Sequence, residues 1–398
     1  VVFTHLYMQT NTSAQAPDLL SSTAPAGRFL SLDVFRGLTV AAMILVNTPG
    51  SWAYVYAPLR HAAWNGCTPT DLVFSFFLFA VGNALSFAIT RYQTQGTGHV
   101  LQKIVTRTAL IFTIGLLLNW FPFVKWQDNA LAFKSFENLR FFGVLPRIAL
   151  AYMGGALIAH FFKPQPAFII ACSLLVAYWI ILLLFGDLTL EGNAVRTLDQ
   201  WLVGESHMYR GYFSEILNQN IAFDPEGLLS TVPAVASVVF GFLAGRFIRE
   251  KGNSYQTLSY LLLLGSLAIF AGLCWNTVFP INKPLWSSSY VLHTTGLAMI
   301  ILAVIMFLTD TKGYRRWTDF FVVFGKNPLF IFVLSGVWIK LYFLMRIGDT
   351  NAYTWLYEQV FRPLAGDYNG SLLFALTHVL LFWAIGLLLE RKKIYIKV

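Results

Sequence analysis

The sequence predicts an all-α fold, a polytopic transmembrane bundle of about ten helices with both termini in the cytoplasm. Three observations carry that reading. Only 12% of the 398 residues are charged and 57% are hydrophobic, with a mean hydropathy of +0.61. A soluble domain carries about 25% charged residues. Apolar runs of about 20 residues, the length that crosses a bilayer, recur along the chain. Basic residues gather in alternate short connections, as the positive-inside rule requires.

The elements follow in order. Val1 to Gly27 is polar, rich in Ser, Thr, Ala and Pro, and lacks a basic n-region ahead of an apolar h-region. It is expected to be a flexible tail (1–27) rather than a secretory signal. Residues 28–398 are expected to form one transmembrane domain. Its apolar spans are expected near 32–48, 72–90, 104–120, 141–162, 167–186, 228–248, 258–275, 288–309, 320–344 and 372–389. Asn327-Pro328 interrupts the ninth, and a proline at depth frees a carbonyl and kinks a helix. That span is therefore expected as one bent helix or two shorter pieces. No internal repeat is visible, which disfavours an inverted-repeat transporter.

Orientation comes from the connections. One set holds Arg91, Lys103 and Arg107; Lys163; Arg246, Arg249 and Lys251; Lys312, Arg315 and Arg316; and Arg391, Lys392, Lys393 and Lys397. The alternate set is poorer in cations for its length. Its longest member, 187–227, carries seven acids against Arg196 and Arg210. The basic set is expected in the cytoplasm, with 187–227 as a periplasmic loop. This distribution also accounts for the net charge of +9. A basic helix with interleaved aromatics and a zinc-knuckle spacing are both missing, so nucleic acid is not the expected partner. Cys67, Cys172 and Cys274 are an odd, scattered set, neither a disulfide framework nor a metal site.

The densest polar stretch begins at the first span. Asp33 and Arg36 are three apart, on one helix face. Each alone costs about 2.5–3.5 kcal/mol in the membrane, so they are expected to pair, either as a structural pair or at the mouth of an anion site. Thr68-Pro69-Thr70-Asp71 reads as a helix start: Thr68 as N-cap, Pro69 at the first position, Asp71 at the third. Asp71 is equally suited to orient a histidine, and the two roles are compatible. His61 lies between two spans, amid Trp52, Tyr54, Tyr56, Trp64 and Asn65. Histidine takes and returns protons near neutral pH, whereas a lone interfacial histidine only hydrogen-bonds. Asn47 ends the first span at the same level, either as a helix-end cap or as a donor to imidazole or oxyanion. His293 is a second candidate, within the membrane.

These residues carry a resemblance. Asp33-Val34-Phe35-Arg36-Gly37, Val46-Asn47, His61-Ala62-Ala63-Trp64-Asn65-Gly66 and Thr70-Asp71-Leu72-Val73-Phe74 resemble the heparan-alpha-glucosaminide N-acetyltransferase family. So do Gly143 to Tyr152, Asp224 to Thr231 and Ile281 to Tyr290. The resemblance covers nearly all of the membrane domain. It implies transfer of an acetyl group from cytosolic acetyl-CoA to a glucosamine amine across the membrane. It implies His61 as the active-site histidine, Asn47 as a second site residue, and a homodimer. Against the luminal domain and extra helix of the animal protein, only a short tail is expected here. It is similar to a bacterial branch, in an inner membrane, whose acceptor need not be heparan.

The residues suit that chemistry. Amide formation from a thioester needs a neutral amine, a stabilised oxyanion and a protonated leaving thiolate. His61 has two routes: proton transfer, or its own acetylation. Asn47, the Trp64 indole N–H and loop amides are candidate oxyanion donors. Cys67 invites a cysteine relay, ranked below a small-residue role. Arg36, Arg107, Arg246 and Lys326 are candidates for the CoA phosphates, each also a positive-inside anchor. Trp64, Asn65, Lys283 and Ser288 are candidates for the acceptor. Two other functions stay open, a sugar transporter or flippase and an O-acetyltransferase of an envelope polysaccharide.

Overall fold

Among the described residues 29–93, 96–127 and 130–396 of the computed structural model, nine helices are long and apolar enough to cross a membrane. The number is ten when one bent pair counts as a span. The protein is a polytopic helical bundle, the architecture that satisfies every backbone amide within lipid. The tail expected at 1–27 lies outside the described residues.

The spans are α1 (Leu30–Asn47), α2 (Pro69–Gln93), α3 (Thr97–Trp120), α4 (Val144–Phe161) and α5 (Pro164–Phe185). A short α6 (Ala194–Val203) precedes α7 (Thr231–Lys251), α8 (Tyr255–Asn276) and α9 (Ser288–Met306). Then come α10 (Thr318–Lys326), α11 (Pro328–Leu344), the short α12 (Ala352–Leu356) and α13 (Arg362–Ala365), and finally α14 (Asp367–Arg391). The interrupted span resolves into α10 and α11, bent by 84°. Pro328 opens α11. Asn327 fills the break, donating to the Ile394 carbonyl at 3.1 Å and accepting the Ile396 N–H at 2.8 Å.

Helices α1, α2, α7 and α9 are the most enclosed. α1 touches α2, α9, α10, α11 and α14, while α7 touches α2, α4, α5 and α9. Outer helices α5 and α8 expose Leu184, Leu263 and Phe270, as a lipid-facing surface should. α2 and α7 meet backbone to backbone. A Cβ on Gly82 or Gly241 would collide with the carbonyl oxygen of Val238 or Phe79. Gly241 and Gly245 have the four-residue spacing of small residues that lets helices close in lipid.

One face of the bundle gathers the start of α1, the α10–α11 break and the end of α14. There Arg36 donates to the Gly325 carbonyl at 2.9 Å and to Asp33 at 2.8 Å, and Lys326 pairs with Glu390. This is the basic face. The opposite face carries more structure than a loop reading suggests. Hairpins β1–β2 (Val124–Gln127, Ala130–Phe133) and β3–β4 (Tyr212–Ser214, Gln219–Ile221) lie there with α6. Tyr178, Val195, Phe223, Phe279 and Leu285 form a buried cluster that seats the 187–227 segment on α5.

Candidate active site

Asp71 stands at the third position of α2, after Pro69. Its Oδ2 accepts the Thr68 N–H at 2.9 Å and the Ala62 N–H at 3.1 Å. Its Oδ1 lies 2.6 Å from Nδ1 of His61. A carboxylate that already accepts two amides also accepts here, so Nδ1 carries the hydrogen and Nε2 remains free to take a proton. Both roles open to Asp71 in the sequence are filled by one side chain. It ties the helix start, and it orients the histidine. Tyr290 of α9 donates to the Asp71 carbonyl at 2.6 Å, which fixes this turn from within the bundle.

His61 opens on a cavity of about 50 Å³. Asn47 from the end of α1, Thr70, Val73 and Phe74 from α2, Val144 from α4 and Phe332 from α11 line it. Met43 and Val46 of α1 line it too, and Glu226 and Lys283 complete the lining. The Asn47 amide forms no side-chain hydrogen bond among the described residues, so it is not spent as a cap. His293, on α9, does not line this cavity.

A charge cluster backs the cavity. Arg140 forks onto Asp224 at 2.8 and 2.7 Å and reaches Glu226 at 2.5 Å. Burial alone would raise the Glu226 carboxyl, but Arg140, Lys283 and Arg147 outweigh it and hold it below the usual range. Fully buried Arg147 bonds Ser230 and lies over the Trp286 ring. Cys67 is pushed up to about 12 by burial and then by the Asp71 charge. A raised thiol is a poorer source of thiolate, which weighs against a cysteine relay.

The other candidates separate. The Trp64 indole N–H donates to the Leu188 carbonyl at 2.9 Å, and its ring packs edge-on against Phe223 and Tyr212. That N–H holds the loop. Asn65 accepts from Asn282 at 3.2 Å. Ser288 is fully buried, donates to the Leu175 carbonyl at 2.7 Å and does not line the His61 cavity. Arg36 and Lys326 come together but are met by Asp33 and Glu390, while Arg246 pairs with Glu250 at 2.6 Å. Arg107 differs. It lies 4.7 Å from the Tyr152 ring centre and has no acidic partner among the described residues. With His99, Gln102, Lys103, Thr106, Leu110 and Tyr152 it lines a cavity of about 360 Å³.

The family model described as "Heparan-alpha-glucosaminide N-acetyltransferase, catalytic" matches residues 28–272, more than half of the chain. The chain belongs to this family. Proteins named heparan-alpha-glucosaminide N-acetyltransferase from Mus musculus and Homo sapiens are similar to it. They are 28% and 26% identical over 361 and 385 residues. Those alignments cover 77% and 84% of this chain but 53% and 56% of the relatives, so the chain spans about half the length of either. In this family member Asn47, His61, Asp71 and Glu226 fall inside the matched stretch, and Lys283 lies past it. Glu226 was not anticipated as a cavity residue. The available signal was its place in Asp224-Pro225-Glu226-Gly227, one of the segments that carry the resemblance.

Proposed function

We propose that the protein moves an acetyl group from acetyl-CoA, held from the basic and cytoplasmic face, to the amine of a glucosamine-type sugar at the opposite face. The observation that carries this reading is the His61–Asp71 pair opening on a cavity beside the unspent amide of Asn47. Nε2 of His61 takes a proton from the attacking amine and returns it to the departing sulfur. Asp71 keeps the imidazole in the tautomer this requires and stabilises the imidazolium.

The Arg107 cavity supports the donor half of the reading. An arginine without an acid, within a membrane helix, calls for an anion, and a phosphate suits it. Tyr152 in that cavity lies eight residues along α4 from Val144 in the His61 cavity, an axial rise of roughly 12 Å. An extended pantetheine arm is suited to such a gap. Placement in a bacterial inner membrane, and a homodimer, rest on the family resemblance alone.

Purified protein given acetyl-CoA is expected to release CoA thiol with glucosamine and not with N-acetylglucosamine. Release with the N-acetylated sugar would identify a hydroxyl acceptor instead. Release with neither amino sugars nor N-acetylated glycans would overturn the reading.

A further inference from the structure

Lys283 sits one residue beyond a clamp that joins two distant loops. The Gly66 N–H donates to the Ile281 carbonyl at 2.7 Å, and Asn282 Nδ2 donates to Asn65 Oδ1 at 3.2 Å. Gly66 makes this approach at φ +111°, a conformation that suits glycine. Asn282 is itself pinned. Its N–H donates to Ser287 Oγ at 3.0 Å, and its Oδ1 accepts the Leu285 N–H at 2.7 Å. The clamp therefore sets Lys283 against the His61 loop. The consequence is visible in the cavity, where Lys283 lines the same space as His61 and Asn47.

Its ammonium has no hydrogen-bond partner among the described residues. The nearby acids are already engaged, Asp71 by His61, Ala62 and Thr68, and Glu226 by Arg140. A half-buried cation with no bonded anion, in a cavity that holds a proton-transfer histidine, is arranged to receive a negative charge that appears during reaction. We propose that Lys283, together with the Asn47 amide, donates to the oxyanion of the tetrahedral intermediate, across the cavity from His61. This rests on the acetyl-transfer reading above.

The step balances as follows. The neutral amine nitrogen bonds to the thioester carbonyl carbon, and the carbonyl π pair moves onto oxygen beside Lys283. His61 takes the amine proton. Collapse re-forms the carbonyl and breaks the carbon–sulfur bond, and His61 returns the proton to sulfur. Asn65 and Asn282 are positioning residues for the oxyanion donor.

The test is steady-state kinetics of K283Q and K283R against wild type across pH. K283Q is expected to lose about 10²–10³-fold in kcat, the scale of one oxyanion donor, with KM for glucosamine within about twofold. Burial pulls the Lys283 ammonium down, and Glu226 and Asp71 oppose this while Arg147 and Arg140 add to it, leaving it below the usual lysine range. His61 and Cys67 are the other titratable groups around it. Activity should therefore fall as Lys283 deprotonates, and K283R should move that alkaline limb to higher pH while keeping part of kcat. If K283Q does not fold, the kcat and alkaline limb of K283R decide. An unchanged kcat in K283Q, a loss confined to KM, or an unmoved limb in K283R overturns the proposal. A wild-type protein inactive with every amine acceptor would instead sink the reading beneath it.

Discussion

His61→Ala is expected to lower acetyl transfer by about 10²–10⁴-fold, the range contributed by a positioned acid–base group, while the melting midpoint stays near wild type. The reason for the second half is exposure. The His61 side chain is 43% exposed, so its loss removes little packing. Asp71 behaves differently, because it is 1% exposed and accepts two loop amides. Asp71→Ala removes a helix-start contact worth about 0.5–2 kcal/mol as well as the imidazole's partner. Asp71→Asn keeps the shape and is the cleaner probe. Its kcat should fall toward that of His61→Ala with a smaller loss of stability. Steady-state rates and melting curves on the three variants separate the roles. Full turnover in His61→Ala would remove the histidine from the chemistry.

Arg140→Met is expected to destabilise the fold by about 3–5 kcal/mol, the cost of leaving buried partners of an ion pair without their counter-charge. Asp224 is fully buried and Glu226 nearly so, and Arg140 serves both. Arg140→Lys should recover only part, because an ammonium cannot reproduce the fork. Arg140→Met combined with Asp224→Asn and Glu226→Gln should regain stability over Arg140→Met alone, since no uncompensated charge is left behind. The pH dependence has a definite sign. Glu226 is held below the ordinary carboxylate range, against its burial, chiefly by Arg140. A depressed carboxyl contributes stability that is full above its unfolded value and is lost as pH falls through the folded value. Wild type should therefore lose stability in acid, and a variant lacking Arg140 should lose less over that window. Unfolding in detergent at several pH values measures both effects.

The spans were legible because lipid demands long apolar runs, and most span ends lie within about three residues of their expected place, whereas α3 begins seven residues early, α14 five, and the short α6, α12 and α13 were not expected. The bend at Asn327-Pro328 was legible for the same local reason: a missing amide donor and a polar neighbour at depth. Local spacing also exposed the Asp33–Arg36 pair and the double duty of Asp71. Contacts made with distant chain were not legible. The Trp64 indole and the Ser288 hydroxyl donate to the backbone carbonyls of Leu188 and Leu175, partners that no local spacing announces. Lys326, a candidate for the CoA phosphates or an anchor, pairs with Glu390 far along the chain. Glu226 enters the cavity because Arg140 and the 187–227 segment fold back over the bundle. No periodicity announces such an arrangement.

The most direct measurement is a sidedness assay in sealed vesicles holding the protein with its basic face outward. Acetyl-CoA is supplied outside and labelled glucosamine is trapped inside. The account predicts N-acetylated sugar accumulating inside while free CoA thiol appears outside in equal amount, and neither in vesicles carrying His61→Ala. Acetylated sugar formed only when donor and acceptor share one side would contradict it, as would labelled glucosamine crossing the membrane unmodified.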